Sequence, residues 1–432
     1  MSFTGLQSNS SREATGRAWW PCLLMVATLC LTGCGQPTAS YSLNQVYLRK
    51  QEHDQMNGDR VPATQVKDLA NVLTALYGTP DDPHMPPGVE GIDTVLNMTR
   101  VKAAAGRVAS DEYGKGEGLY RQHCVHCHGI TGNGKGPTAT FLNPYPRDFT
   151  AGIFKFDSTP IGYKPTHEDL RRVLMEGIAG TAMPSFKLLS EGEVEALIDY
   201  VKFLSIRGET ERKLLEQIGE FVPGEQDDAA AVEKLRTDFQ SRELLVDGVL
   251  AEVIESWNAA KDNVTEIPVR PATYDRFSAE FDETALQASE ERGRKLYYTN
   301  VANCYSCHGP SQLGDGQVTD YDKWTKEFYD WTKKTEKDYP ERLAEYEARG
   351  GLPLRNILPR NLRDGIYRGG RRPIDIFWRV HNGIDGTPMP AANKQALQDN
   401  DIWDIVNYVL SLPYEPVSRP GLDTLTNDRG VR

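Results

Sequence analysis

The chain has 432 residues and carries 49 Lys and Arg against 61 Asp and Glu, a formal charge of −12. So acidic a balance excludes a general nucleic-acid binder, because phosphate backbones are held by clustered basic side chains. The length allows several domains.

At the amino terminus, Arg12 and Arg17 precede an apolar run from Ala18 to Leu31 that ends in Leu31-Thr32-Gly33-Cys34. The run is short for a transmembrane helix, and small residues before a cysteine resemble a bacterial lipoprotein signal. On this reading residues 1–33 are removed and Cys34 carries lipid. An uncleaved signal anchor is the alternative, and it leaves the chain on the same side of the same membrane. The expected location is therefore the periplasmic side of a bacterial membrane. No later stretch reaches the ~18 apolar residues of a span, so attachment rests on the lipid, whose buried methylenes contribute about 0.8 kcal/mol each.

Residues 34–107 read as a tether or arm, with a helix over Gln65 to Tyr77 and a Pro-rich turn region from Thr79-Pro80 to Pro87-Gly88. The arm is expected to lie on the domain that follows. His53 and His84 read as surface residues.

Residues 108–207 contain Cys124-Val125-His126-Cys127-His128. Cys-x-x-Cys-His is the spacing that a c-type haem requires: the thiols add to the vinyl groups on one edge of the porphyrin, and the next histidine reaches the iron. A four-cysteine zinc site would have to borrow from the second such motif, 180 residues away, and would leave each histidine without a role. Downstream, Gly177-Ile178-Ala179-Gly180-Thr181-Ala182-Met183-Pro184 offers Met183 as the second axial ligand. Met175 competes, and the repetition described below favours Met183. Val194, Leu197, Ile198, Val201 and Leu204 then predict an amphipathic closing helix. Gly132-Asn133-Gly134-Lys135-Gly136 reads as a chain turn.

Residues 208–284 favour helix. Leu214, Leu215, Ile218, Leu235, Leu244, Leu245, Val249, Val253 and Ile254 are apolar positions, and Pro223-Gly224 divides the stretch. The expectation is a helical bridge that packs the two flanking domains together.

Residues 285–415 repeat the first pattern. Cys304-Tyr305-Ser306-Cys307-His308 is followed by Gly383-Ile384-Asp385-Gly386-Thr387-Pro388-Met389-Pro390, so His308 and Met389 are the expected axial pair. His381, two residues before Gly383, is a rival ligand where the first repeat has Met175. Ile402, Ile405, Val406, Val409 and Leu410 form the second closing helix. One departure stands out. Pro146 follows Cys127 by 19 residues, whereas Pro359 follows Cys307 by 52, which places an insertion at about 310–356. Its stretch Asp322 to Arg349 predicts one or two charged helices bearing Trp324, Phe328, Tyr329 and Trp331, broken at Pro340. Either it folds back on its own domain or it is offered to another subunit. Residues 416–432 read as an irregular tail.

Paired features now carry a family resemblance: Gly116-x-x-Leu119-Tyr120 and Gly293-x-x-Leu296-Tyr297 before the haem motifs, Pro146-Arg147 and Pro359-Arg360 after them, the two Met-Pro loops and the closing helices. The chain resembles tandem class I cytochrome c domains, and within that group the membrane-bound dihaem cytochromes that serve quinol oxidation or terminal oxidases. The resemblance implies an all-α fold of two haem domains joined by a helical linker, with an N-terminal tether. It implies two haems bound covalently at Cys124, Cys127, Cys304 and Cys307. The function implied is single-electron transport, with a respiratory membrane complex or another redox protein as partner. A dihaem peroxidase or a sulfur-compound dehydrogenase with one exchangeable ligand is the alternative, and methionine in both loops argues against it.

Overall fold

The computed structural model describes residues 38–56, 58–110, 116–217, 242–329 and 337–416. The signal and Cys34, the Pro223-Gly224 break with Leu235, Trp331, the side chains of Trp324 and Tyr329, and the tail after residue 416 lie outside the described residues. Residues from Ser40 onward form one compact unit.

The fold is all-α apart from a two-residue antiparallel pair, Ala109–Ser110 with Gly116–Glu117. In each repeat the haem motif sits on a short helix, α5 (Val125–His128) and α10 (Cys304–His308). Each continues into a helix that leads to the Met-Pro loop, α6 (His167–Glu176) and α13 (Pro373–Asn382). The closing helices are α7 (Glu191–Glu216) and α14 (Asp399–Ser411). Three of these four longer helices start with a reciprocal capping box, for example Ser190 with Glu193 and Gln398 with Asp401, and at α13 Asp375 accepts from Arg372 N. The apolar positions expected for both closing helices are buried, except the half-buried Leu410.

The repeats differ in the helix that crosses the closing helix. In the second repeat α9 (Glu283–Tyr297) is continuous and crosses α14 at Gly293, where a Cβ would stand 2.0 Å from the Asp404 carbonyl oxygen. Asp404 fixes the crossing by accepting from Ser289 Oγ at 2.5 Å and Arg292 Nε at 2.7 Å. In the first repeat this helix is reduced to one turn, α4 (Leu119–His123), and the arm supplies the missing length. Helix α3 (Met98–Ala104) lays Val101 and Ala104 on α7, with Asn97 N donating to Asp199 and Lys202 Nζ donating to the Val95 carbonyl at 2.9 Å. Helices α1 (Gln45–Gln55) and α2 (Ala63–Tyr77) complete the same core, with Leu69, Val72, Leu73 and Leu76 buried at helical spacing. The arm is thus part of the first domain's interior. Helix α7 runs on to Glu216, so the boundary at 207/208 falls inside it.

The bridge departs from expectation. Leu245, Val246, Val249, Leu250, Val253, Ile254 and Trp257, spanning a π-helical segment (Glu243–Leu250) and α8 (Ala251–Asn258), join the first repeat's core and not the second's. Among the described residues of this stretch, the extended chain beyond it reaches across. Thr265 bonds Ser158 on one side and Asn382 on the other, and the Pro268 carbonyl accepts from Trp403 Nε1.

Among the described residues the insertion touches its own domain, Lys323 N donating to the Gly386 carbonyl at 3.0 Å, and reaches beyond it to the arm and the first repeat. Pro340 opens α12 (Tyr339–Ala348), in the first turn where its missing N–H costs nothing, instead of breaking a helix. Tyr346 packs on Val46 of the arm and on Phe328 of α11 (Lys323–Tyr329). Glu345 binds both Arg49 and Arg60 of the arm. Arg355 donates to the carbonyls of Leu142 and Thr140 while lying 4.1 Å over the Tyr145 ring. The insertion clasps the second repeat to the arm and the first repeat, because its aromatic and charged residues find partners there.

A Cβ at Gly293 must displace backbone, so Gly293→Ala is expected to destabilise the protein by about 1–3 kcal/mol. Gly192→Ala, where nothing lies within 4 Å of the new atom, is expected to stabilise by up to about 1 kcal/mol. Thermal unfolding of the two variants checks the contrast; equal midpoints would refute the close crossing.

Candidate functional site

Both haem motifs open onto one cavity of about 1200 Å³. Cys124, Cys127, His128 and Met183 line it together with Cys304, Cys307, His308 and Met389. Single small-molecule pockets span roughly 300–1,000 Å³, so this one has room for more than one ordinary ligand. The rival ligands are elsewhere. Met175 and His381 do not line the cavity; His381 is buried, with Nδ1 2.8 Å from Asn382 Oδ1 and its ring stacked near Phe377.

The histidines are oriented identically. His128 Nδ1 lies 3.0 Å from the Arg147 carbonyl, and His308 Nδ1 lies 3.0 Å from the Arg360 carbonyl. A carbonyl only accepts, so Nδ1 carries the proton and Nε2 keeps its lone pair for a metal, as a ligating imidazole needs. The Pro-Arg dipeptides of the sequence therefore act through a backbone oxygen. They are held close by Gly134 and Gly314, whose hydrogens face the Pro146 and Pro359 carbonyls at 2.7 and 2.3 Å measured to a hypothetical Cβ. Burial lowers His128 to about 4, and lowers His308 from its ordinary value, so both rings are neutral donors.

The Met-Pro loops match bond for bond. Ile178 N donates to Met183 O and Ile384 N to Met389 O, each at 3.1 Å. Thr181 Oγ1 accepts from Met183 N at 3.1 Å and donates to Ile178 O at 2.7 Å; Thr387 does the same with Met389 at 3.2 Å and Ile384 at 2.8 Å. Gly177 and Gly383, at φ +68° and +76°, turn the chain where a side chain would strike the backbone after the methionine. Tyr120 and Tyr297 anchor the other side, donating to the Gly129 and Gly309 carbonyls at 2.9 and 2.8 Å.

These residues fit a covalently attached porphyrin. Burial pushes the Cys124 thiol up to about 12, with Cys127 adding to the shift, and the Cys304 thiol up to about 11. That apolar setting suits a thioether and opposes the thiolate of a zinc site. Among the described residues no cluster of three or more His, Cys, Asp and Glu could hold a free metal ion.

Comparison with known proteins agrees. Residues 111–201 match the family described as cytochrome C oxidase, cbb3-type, subunit III, and residues 290–413 match the cytochrome c family. The chain therefore carries two cytochrome c domains in tandem, consistent with a dihaem cytochrome c of class I. Two covalently bound c-type haems follow from the two domains. A chain of the Kuenenia stuttgartiensis reducing HAO-like protein complex aligns with a TM-score of 0.42 at 23% identity, over 71% of this chain and 99% of that one. No curated protein matches the sequence.

Cationic side chains that no motif announced also line the cavity: Lys155, Arg368 and Arg379, beside Arg147 of the Pro-Arg repeat. Arg368 and Arg379 belong to a local run of arginines with Arg360, Arg363, Arg371 and Arg372.

Thr387→Val leaves two loop backbone groups without their partner, a cost of about 1–3 kcal/mol. The expected outcome is faster amide exchange across Ile384 to Met389, while mass spectrometry still shows the polypeptide plus two haems. Unchanged exchange would remove the threonine from its role.

Proposed function

We propose that this dihaem cytochrome carries single electrons in a respiratory chain on the periplasmic side of a bacterial membrane, held there by lipid on Cys34. Its partner is a quinol-oxidising or terminal oxidase complex, or another redox protein docked to one. Electron transfer itself follows from the two cytochrome c domains. The match of residues 111–201 to a cbb3-type oxidase subunit supports the oxidase class of partner.

The observation that carries the reading is the repeated Met-Pro loop in a shared cavity. Bound haem supplies a one-electron couple. Cys124 and Cys127 hold the first haem and Cys304 and Cys307 the second, through thioethers. His128 and His308 serve as proximal ligands, kept in a single tautomer by the Arg147 and Arg360 carbonyls. Met183 and Met389 serve as distal ligands, presented by loops that the Thr181 and Thr387 hydroxyls brace. A soft thioether favours the ferrous state and raises the potential relative to paired histidines. With a histidine and a methionine to hold each haem, the bound group would supply one-electron exchange between a reduced and an oxidised partner, with no bond made or broken.

Met389→Ala is expected to abolish the weak far-red charge-transfer band of methionine on ferric iron at one haem of two, whereas His381→Ala leaves it intact. A high-spin component in the unaltered protein would favour the enzymatic alternative. Co-purification from solubilised membranes tests the partner: recovery in a complex with an oxidase or quinol-oxidising enzyme is the expected result, and recovery of a free soluble protein would overturn the anchoring.

A further inference from the structure

The two Met-Pro loops match internally, and each is also touched from the opposite domain. At Gly180 of the first loop a Cβ would stand 2.5 Å from Arg360 Nη2 and 3.2 Å from Ile366 Cγ2, both residues of the second domain. At Gly383 of the second loop a Cβ would stand 2.8 Å from Ile161 Cδ1 of the first domain. An isoleucine from each domain is therefore seated on a glycine of the other domain's loop. Polar contacts run the same way. Gly162 N donates to Asp385 of the second loop at 3.1 Å, and Arg360 is held beside the first loop by its Nε, which donates to the Ile366 carbonyl at 2.8 Å.

The repeats differ in sequence where these contacts are made. Asp385 stands where the first loop has Ala179. Arg147 precedes α6 at His167 by 20 residues, whereas Arg360 precedes α13 at Pro373 by 13, and the longer first-domain stretch is the one that carries Ile161 and Gly162. Its register against the second domain is fixed at several points. Phe156 holds φ +67°, a conformation that bulky side chains rarely adopt, and its ring lies 2.4 Å from where a Cβ at Gly369 would stand. Asn382 donates to the Ser158 and Thr159 carbonyls at 3.3 and 3.2 Å, and Arg172 stacks 5.1 Å over Trp378.

We propose that Ile366 and Arg360 position the Met183 loop and that Ile161 positions the Met389 loop, so that each distal methionine is held in place by the opposite domain. This rests on the dihaem reading above. Neither isoleucine lines the cavity, so both act through the loops as positioning residues. The Thr181 and Thr387 hydroxyls close each loop on itself, and the isoleucines fix where the closed loop stands. A loop that swings away takes its methionine with it and must also part from the other domain. Methionine ligation at either iron is thereby tied to the seam between the domains.

The test is hydrogen exchange of the full-length holoprotein, read separately over residues 177–184 and 383–390, with haems counted by mass. Ile161 and Ile366 remain 44% and 45% exposed, so their truncation leaves the core intact. Ile366→Ala is expected to speed exchange over 177–184 by about fivefold and leave 383–390 unchanged, and Ile161→Ala to do the reverse. The contacting atoms sharpen the contrast. Ile366→Val keeps Cγ2 and restores the unaltered rate, whereas Ile161→Val lacks Cδ1 and behaves as Ile161→Ala. In the ferric alanine variants the far-red methionine band of one haem of two fades below the temperature of global unfolding, which a side chain that only fills space would not cause. Exchange that rises only in the substituted domain's own loop, in both loops alike, or in neither would overturn the reciprocal hold. A mass without two haems, or an unaltered protein without the methionine band, would instead sink the ligation reading. If Ile366→Ala fails to fold, Arg360→Met gives the decision for the first loop, and Ile161→Val gives it for the second.

Discussion

Everything in this molecule is arranged around an interior that the polypeptide does not fill by itself. Each repeat contributes one wall of a common cavity, lined from the first by Phe149, Phe154, Leu170 and Ile198 and from the second by Leu362, Ile376, Ile405 and Val409. The imidazole held by a backbone carbonyl is the fixed point of each wall. Loops that bring Arg147 or Arg360 under the histidine need the close glycine approaches at Gly134 and Gly314, and those in turn fix where the chain leaves the haem motif. The prosthetic group is therefore a structural member as well as a redox centre, which is why domains this small can be stable.

The two repeats reach the same local geometry by different packing. The second uses a continuous α9 and a core of its own, centred on Tyr297, Phe377, Ile402 and Val406. The first breaks that helix and borrows α1, α2 and α3 from the arm and the apolar face of the bridge. Burial of arm and bridge on one domain makes the first repeat the heavy, well-filled half of the molecule. It also explains the insertion: with the arm committed to the first domain, a clasp from the second domain onto the arm joins the halves without disturbing either haem wall. Glu345 between Arg49 and Arg60 is half-exposed and contributes little by itself, so the buried contact of Tyr346 with Val46 carries more of the clasp.

Much of the site was legible because it is written in short, repeated spacings. Cys-x-x-Cys-His, the Met-Pro loops and the closing helices are local patterns, and a second copy removes most of the ambiguity of the first. Placement of Met183 over Met175 followed from repetition, and the cavity holds Met183 and Met389 while Met175 and His381 face elsewhere. What could not be read were contacts between distant segments. Nothing in Met98–Ala104 announces that it replaces a missing stretch of domain helix; a seven-residue helix with Val101 and Ala104 buried has too weak a period. The bridge's apolar positions were visible, but periodicity does not say which neighbour they meet. The insertion's aromatic residues carried the same ambiguity, and for Phe328, the one whose side chain is described, the neighbours are Tyr346 and Val46, the latter far away in the chain. The Pro-Arg dipeptides were visible as repeats, but their role resides in a carbonyl that every residue possesses.

The equality of the hydrogen bonds around the two sites sharpens the meaning of what differs. His128 lies flat against Phe149, ring centroids 4.5 Å apart at 15°, and Phe149 continues through Phe154 to Trp257. At the second site the residue whose amide makes the matching backbone bond is Leu362, an aliphatic side chain at the position where the first site has Phe149. Cys124 is buried, while Cys304 and Cys307 are half-buried. The two sites thus match in hydrogen bonding and differ in packing, and packing and solvent access are levers by which a protein sets the potential of an iron centre whose ligands are fixed.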